Sequence, residues 1–208
     1  MRLFIAIPLP SGVVRELSEV SKRLRSDQDG LRWASPKSWH ITLQFLGNTS
    51  PEQYTCLIAG LREVRFSPVP ISLNDLGIFD RAGVFFADVA VSEELLRLQQ
   101  SVTAATSHCG FTAEDRPFHP HVTLARAKGD RRSSSIRGLK SKISLQPHFG
   151  SFAAQTFQLY EAFLGPSGSR YEIREQFDLG IRWNSFSSEW RYRPRFPRAT
   201  APFRYDLR

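Results

Sequence analysis

Apolar and polar residues alternate in short runs along most of this chain, and three stretches break into helical spacing. Residues 2–7, reading Arg2-Leu3-Phe4-Ile5-Ala6-Ile7, are β-prone and predict a central strand. Val14, Leu17, Val20 and Leu24 then recur at helical spacing behind Ser11, which predicts an amphipathic helix over 12–26 with Ser11 as its N-cap and an end near Gly30. Residues 31–34 form a short strand, and the turn 35–38 delivers a strand over 39–46 that stops at Gly47-Asn48. Ser50-Pro51-Glu52 reads as cap, first-turn proline and first-turn acid of a helix over 51–65, with Tyr54, Leu57, Ile58, Leu61 and Val64 as its buried stripe.

The second half repeats this alternation. Residues 71–79 and 84–91 predict two strands joined through Asp80-Arg81-Ala82-Gly83. A helix follows from Ser92 towards Cys109, carrying Leu95, Leu96, Leu98 and Val102, with Gly110 as its stop. Another strand covers 118–126, residues 128–142 read as a basic, Ser-rich loop or short exposed helix, and strands over 149–164 and 171–179 flank the turn 165–168. Residues 181–208 mix aromatics with seven Arg and three Pro without a clear period, so they read as an extension of a body spanning 1–180.

One short pattern occurs twice. His40-Ile41-Thr42-Leu43 returns 81 residues later as His121-Val122-Thr123-Leu124, each time in strand-like sequence. Successive side chains of a strand point to opposite faces, so each copy presents an imidazole and a hydroxyl side by side while Ile41, Leu43, Val122 and Leu124 point into a core. Similar helix and strand order around each copy predicts an α+β fold of two like lobes, with the two strands meeting across a cleft.

Composition narrows the setting. At 208 residues with 41% apolar content, the chain can bury a substantial core, and no run approaches the roughly 20 apolar residues of a membrane span. The formal charge of +8 favours an anionic partner such as nucleic acid. Residues 181–208 carry a net +5 of it, seven Arg against Glu189 and Asp206, which leaves +3 for the body. Cys56 and Cys109 are the only cysteines, too few for a disulfide framework or a metal-ligand set, and are expected to be buried free thiols in a reducing compartment. The apolar start is too short for a signal-peptide core, so the protein is expected to be cytoplasmic.

Two imidazoles facing each other suit general acid–base catalysis, because an ordinary pKa of about 6.5 allows one to be neutral while the other is protonated near pH 7. The paired threonine hydroxyls suit the non-bridging oxygens of a phosphate, since they donate hydrogen bonds without adding charge. With no acidic cluster or Cys/His set at ligand spacing, neither a metal nor a cofactor is expected. The residues point to phosphoester chemistry.

At this point the sequence resembles the 2H phosphoesterases, and within them the RNA 2′,3′-cyclic phosphodiesterase (2′-5′ RNA ligase, LigT-like) branch. The resemblance covers about residues 1–180. It rests on the paired His-x-Thr motif, the start 1–7, the block Trp39 to Gly47, the block Arg116 to Arg126, and the late Leu159-Tyr160-Glu161 with Tyr171-Glu172. It implies a bilobal fold of two antiparallel sheets facing a central cleft with helices packed outside. It implies hydrolysis of an RNA 2′,3′-cyclic phosphate end to a 2′-phosphate, with reversible 2′-5′ joining in some members, and RNA ends, tRNA fragments among them, as the partner of a monomer. By motif position His40 is the proton donor, His121 the proton acceptor, Thr42 and Thr123 grip the phosphate, Arg126 binds it and Phe45 stacks on a base.

Regular strand alternation raises an objection to the last two. It places Phe45 opposite His40 and Arg126 opposite His121, so each reaches the site only through a break or bulge in its strand. His119 shares the face of His121 if Pro120 leaves the strand straight, and is otherwise a rim residue. Arg116, Lys128, Arg131, Arg132, Arg137 and Lys140 are an RNA-binding rim or equally a solvated basic surface, and His108 and His148 are expected to be exposed. The tail 181–208 either stacks on single-stranded bases or packs on the body. Two other functions stay open: a phosphodiesterase for small cyclic phosphates or 2′-5′ oligonucleotides, and a non-catalytic protein that binds RNA ends.

Overall fold

The structure is a computed structural model that describes residues 1–26, 29–128, 138–140, 143, 149–165 and 168–180. The tail 181–208, His148, Arg131, Arg132 and Arg137 lie outside the described residues.

In chain order the elements are β1 (Arg2–Pro8), α1 (Ser11–Leu24), β2 (Leu31–Trp33), a short 3₁₀ turn (Pro36–Ser38), β3 (His40–Asn48), α2 (Pro51–Arg62), β4 (Val69–Phe79), β5 (Val84–Val89), α3 (Glu93–Ser107), β6 (His121–Ala127), β7 (Ser151–Ala154), β8 (Thr156–Gly165) and β9 (Gly168–Asp178). They build two antiparallel sheets, one ordered β3-β1-β8-β9 and the other β2-β6-β5-β4-β7. The expected α+β class and two-sheet architecture are therefore present. Each motif strand belongs to a different sheet, and residues of β3 and β6 approach within 8 Å, Cα to Cα.

One apolar core underlies both sheets. Leu3, Ile5 and Ile7 of β1, Ile41 and Leu43 of β3, Phe85 and Ala87 of β5, and Val122 and Leu124 of β6 join Leu17 of α1, Leu57 and Leu61 of α2, and Leu95 and Leu98 of α3. Alternation sends the other face of β1 away from this core, where Phe4 and Ala6 form a small cluster with Tyr160 of β8. That face carries His40.

Caps set two helices as read from the sequence: Ser50 accepts from the Gln53 N–H in a capping box, and Ser92 accepts from the Leu95 N–H. Ser11 is not a cap. The N-cap of α1 is Pro10, without a side-chain hydrogen bond, and Ser11 is the first helical residue. The predicted strand over 149–164 is two strands, β7 and β8, divided at Gln155, whose carbonyl accepts from the Leu179 N–H at 2.7 Å.

The expectation of free thiols is overturned, because Cys56 on α2 and Cys109 at the end of α3 are joined in a disulfide with 5.7 Å between their Cα atoms. The two helices pack side by side, which brings together residues 53 positions apart in sequence. Spacing alone could not reveal that proximity. Gly110, at φ +85°, turns the chain out of α3 immediately after the bond.

Candidate active site

Both motif strands depart from regular pleating at the same place. In β3, Ala6 lies opposite Thr42 while Ile5 lies opposite Gln44, so Leu43 is an extra residue. In β6, Phe86 lies opposite Thr123 while Phe85 lies opposite Ala125, so Leu124 is the extra residue. The two bulges leave identical burial from the histidine onward: partly buried, buried, partly buried, buried, buried, exposed, over residues 40–45 and again over 121–126. Each bulge resets the alternation by one position. Phe45 returns to the face of His40 and Thr42, and Arg126 to the face of His121 and Thr123. The bulge that the sequence required for Phe45 and Arg126 to share the histidine face is present in each strand, and the two residues hold equivalent places.

The histidines are anchored alike. Nδ1 of His40 lies 2.8 Å from the Ser38 carbonyl oxygen, and Nδ1 of His121 lies 2.9 Å from that of His119, in each case two residues earlier. A carbonyl only accepts, so Nδ1 carries the hydrogen and Nε2 is the nitrogen left to take or give a proton.

The surroundings of the two rings differ. His40 lies among Phe4 at 4.7 Å, Tyr171 at 5.3 Å and Tyr160 at 5.8 Å between ring centres. Burial there drives its pKa down to about 4, against a hydrogen bond to the Ser38 carbonyl that favours the cation and with the like charge of His121 adding to the depression. His121 meets the rings of Phe79 at 5.1 Å and Phe86 at 5.3 Å. Burial lowers its pKa as well; the His119 carbonyl and the Asp88 carboxylate oppose that, while the charges of His119 and Arg126 reinforce it. Burial also raises the Tyr160 phenol to about 12, so it stays neutral and donates to the Gln158 side chain.

A groove of about 1370 Å³ opens beside this constellation, walled by β3, the β4–β5 turn, α3 and the segment 110–119. Thr42, Phe45 and His121 line it, together with His119, Phe111 and Phe118, whereas His40, Thr123 and Arg126 are not among its lining residues. The two motif strands nonetheless approach within 8 Å, Cα to Cα, and the charge of His121 adds to the depression of the His40 pKa.

Among the other candidates, Arg116 and Lys128 are exposed, Lys140 is paired with Asp80 at 2.7 Å, and His108 is exposed as expected. Among the described residues, no group of three or more His, Cys, Asp or Glu is placed to hold a metal. The sequence reading missed the aromatic walls, although Phe4, Tyr160 and Tyr171 stand inside stretches that carry the family resemblance. It also missed Asp88, for which one strand facing another gave no signal.

Two sheets, each carrying a histidine and a threonine side by side on a bulged strand, form a two-histidine phosphoesterase architecture. The comparisons agree with it. Residues 13–161 match the family model described as the 2′-5′ RNA ligase superfamily. An RNA 2′,3′-cyclic phosphodiesterase of Archaeoglobus fulgidus is 31% identical over 86% of this chain and 100% of its own length, and one of Thermotoga maritima is 30% identical over 87% and 98%. Among solved structures, Escherichia coli LigT complexed with 3′-AMP superposes with a TM-score of 0.72 at 26% identity, covering 86% of this chain and 97% of that one. TT0787 of Thermus thermophilus superposes with a TM-score of 0.71 at 30% identity, covering 87% and 100%. This chain belongs to the 2′-5′ RNA ligase superfamily, the 2H phosphoesterases.

Proposed function

We propose that the protein is an RNA 2′,3′-cyclic phosphodiesterase that opens a terminal cyclic phosphate to a 2′-phosphate. The observation that carries this reading is the repetition of one local geometry in two sheets: bulged strands with a histidine anchored through Nδ1, a threonine beside it, and one further side chain delivered to the same face. Relatives named for this activity over nearly their whole length support the substrate class.

In the proposed reaction, Nε2 of His121 takes a proton from water as its oxygen attacks phosphorus. The bond from phosphorus to the 3′ oxygen breaks, and His40 gives that oxygen a proton from Nε2. The hydroxyls of Thr42 and Thr123 hold the non-bridging oxygens, the Arg126 guanidinium balances their charge, and Phe45 supports the base. The resting electrostatics run against a donor at His40, whose pKa of about 4 leaves it neutral near pH 7. Its proton is supplied in the substrate complex, where the phosphodiester anion favours the imidazolium.

The size of the groove suits an RNA end better than a small cyclic nucleotide, since drug-sized ligands fill roughly 300–1,000 Å³. Both histidines come from the same chain, so one chain suffices as the working unit, and an RNA substrate suits a cytoplasmic enzyme. No helix among the described residues is long and apolar enough to cross a membrane.

The test is product analysis on a short RNA with a 2′,3′-cyclic end, with chelator present. The expected product bears a 2′-phosphate, and His40→Ala and His121→Ala each lower kcat by on the order of 10²–10⁴ while the melting temperature is retained. Near-normal turnover by either variant would refute the assignment.

A further inference from the structure

The near-symmetry of the two half-sites makes their differences informative. Opposite His40 in the neighbouring strand is Pro8, and opposite His121 is Asp88. The residue whose carbonyl holds Nδ1 is Ser38 in the first case and His119 in the second. One histidine is therefore framed by two groups that do not ionise, and the other, at the corresponding positions, by a carboxylate and a third imidazole.

Those two are in contact. Nε2 of His119 lies 2.9 Å from Oδ1 of Asp88, and Asn74 donates to Oδ2 at 3.4 Å. The His119 ring meets the same two phenylalanine rings as His121, at 5.0 Å from Phe79 and 5.6 Å from Phe86, and its own ring centre is 6.3 Å from that of His121. The segment 119–121 is fixed at both levels: the Asp88 carboxylate holds the first ring, and the carbonyl of that residue holds the second.

We propose that Asp88 and His119 form a positioning pair for His121, which orients its ring and supplies the electrostatic difference that gives two otherwise matched histidines unlike roles. This rests on the acid–base reading above. Neither residue needs to touch the reacting phosphate, because both act through His121. The charged or titratable groups facing His121 are Asp88 on β5, His119 and Arg126 on either side of it in sequence, and His40 across the cleft. Of these only Asp88 brings negative charge. Removing it is therefore expected to make the His121 imidazolium harder to form, and removing the His119 ring, which takes away one cation and leaves Asp88 only the neutral Asn74, to make it easier.

The experiment uses the full chain with Asp88→Asn, His119→Ala, the double variant and His121→Ala, on an RNA with a 2′,3′-cyclic end. Ring protons of His121 are titrated by NMR and identified by their loss in His121→Ala. Asp88→Asn is expected to lower kcat by on the order of tenfold with KM little changed, and to move the His121 titration to lower pH. His119→Ala is expected to move it to higher pH, and the double variant to lose less than the product of the single losses. A folded Asp88→Asn with wild-type kcat and His121 titration overturns the proposal. If Asp88→Asn does not fold, the exposed His119 decides, and a His121 titration unmoved in His119→Ala overturns it equally. An active His121→Ala would instead defeat the acid–base reading and leave the Asp88–His119 contact a purely structural one.

Discussion

His40 stands where an imidazole is hardest to charge, and this has a consequence for stability. Unfolded, it titrates near its ordinary 6.5, and folded near 4. Between those values the unfolded chain binds the extra proton, so acidification favours unfolding; the loss is absent above pH 6.5 and complete below pH 4. The gap corresponds to about 3 kcal/mol. Denaturant melts at pH 7 and pH 4 are expected to show this part of the acid sensitivity in the wild type and not in His40→Gln. Arg126→Ala is expected to lower kcat/KM by on the order of ten- to a hundredfold, the worth of a charge-assisted contact to phosphate, as read from initial rates. The histidines and threonines were legible in the sequence because a motif that short and specific returned unchanged. Phe45 and Arg126 were legible only through the family resemblance and not from strand alternation, because alternation fails at Leu43 and Leu124.

At the scale of elements, the aromatic wall behind His121 depends on a glycine. Gly77 in β4 faces Phe86 in β5, and a Cβ at Gly77 would lie 2.4 Å from the Phe86 ring. Gly77→Ala is expected to destabilise the fold by about 1–3 kcal/mol in thermal melts and to lower turnover through displacement of the ring that supports His121. The helix pair carries the disulfide. Cys56→Ala with Cys109→Ala, or full reduction, is expected to cost about 2–4 kcal/mol in denaturant melts, given a closed loop of 53 residues. Helix and strand order could be read from periodicity and turn residues, apart from the division of 149–164 into β7 and β8. The bond and the pairing of Gly77 with Phe86 could not, since both depend on which elements become neighbours.

For the whole molecule, the two-lobed outline followed from the duplicated motif, but the single core beneath both sheets did not. Leu57 and Leu61 of α2 and Leu95 and Leu98 of α3 fill one interior with residues of both sheets. The basic extension 181–208 contributes net +5 of the +8 charge. A chain ending at 180 is expected to hydrolyse a dinucleotide cyclic phosphate at the wild-type rate while its binding of longer RNA becomes less steep in salt, measured by titration at several ionic strengths.

The sheet order has an effect during synthesis. β3 and β1 are among the first strands made, yet the partners that complete their sheet, β8 and β9, are among the last. On the ribosome, β1 keeps an open edge until residues past 156 emerge, and only then do Tyr160 and Tyr171 close over His40. The half-site translated first is thus the last to be finished, and a nascent chain stopped short of β8 carries both histidines without a place for the first.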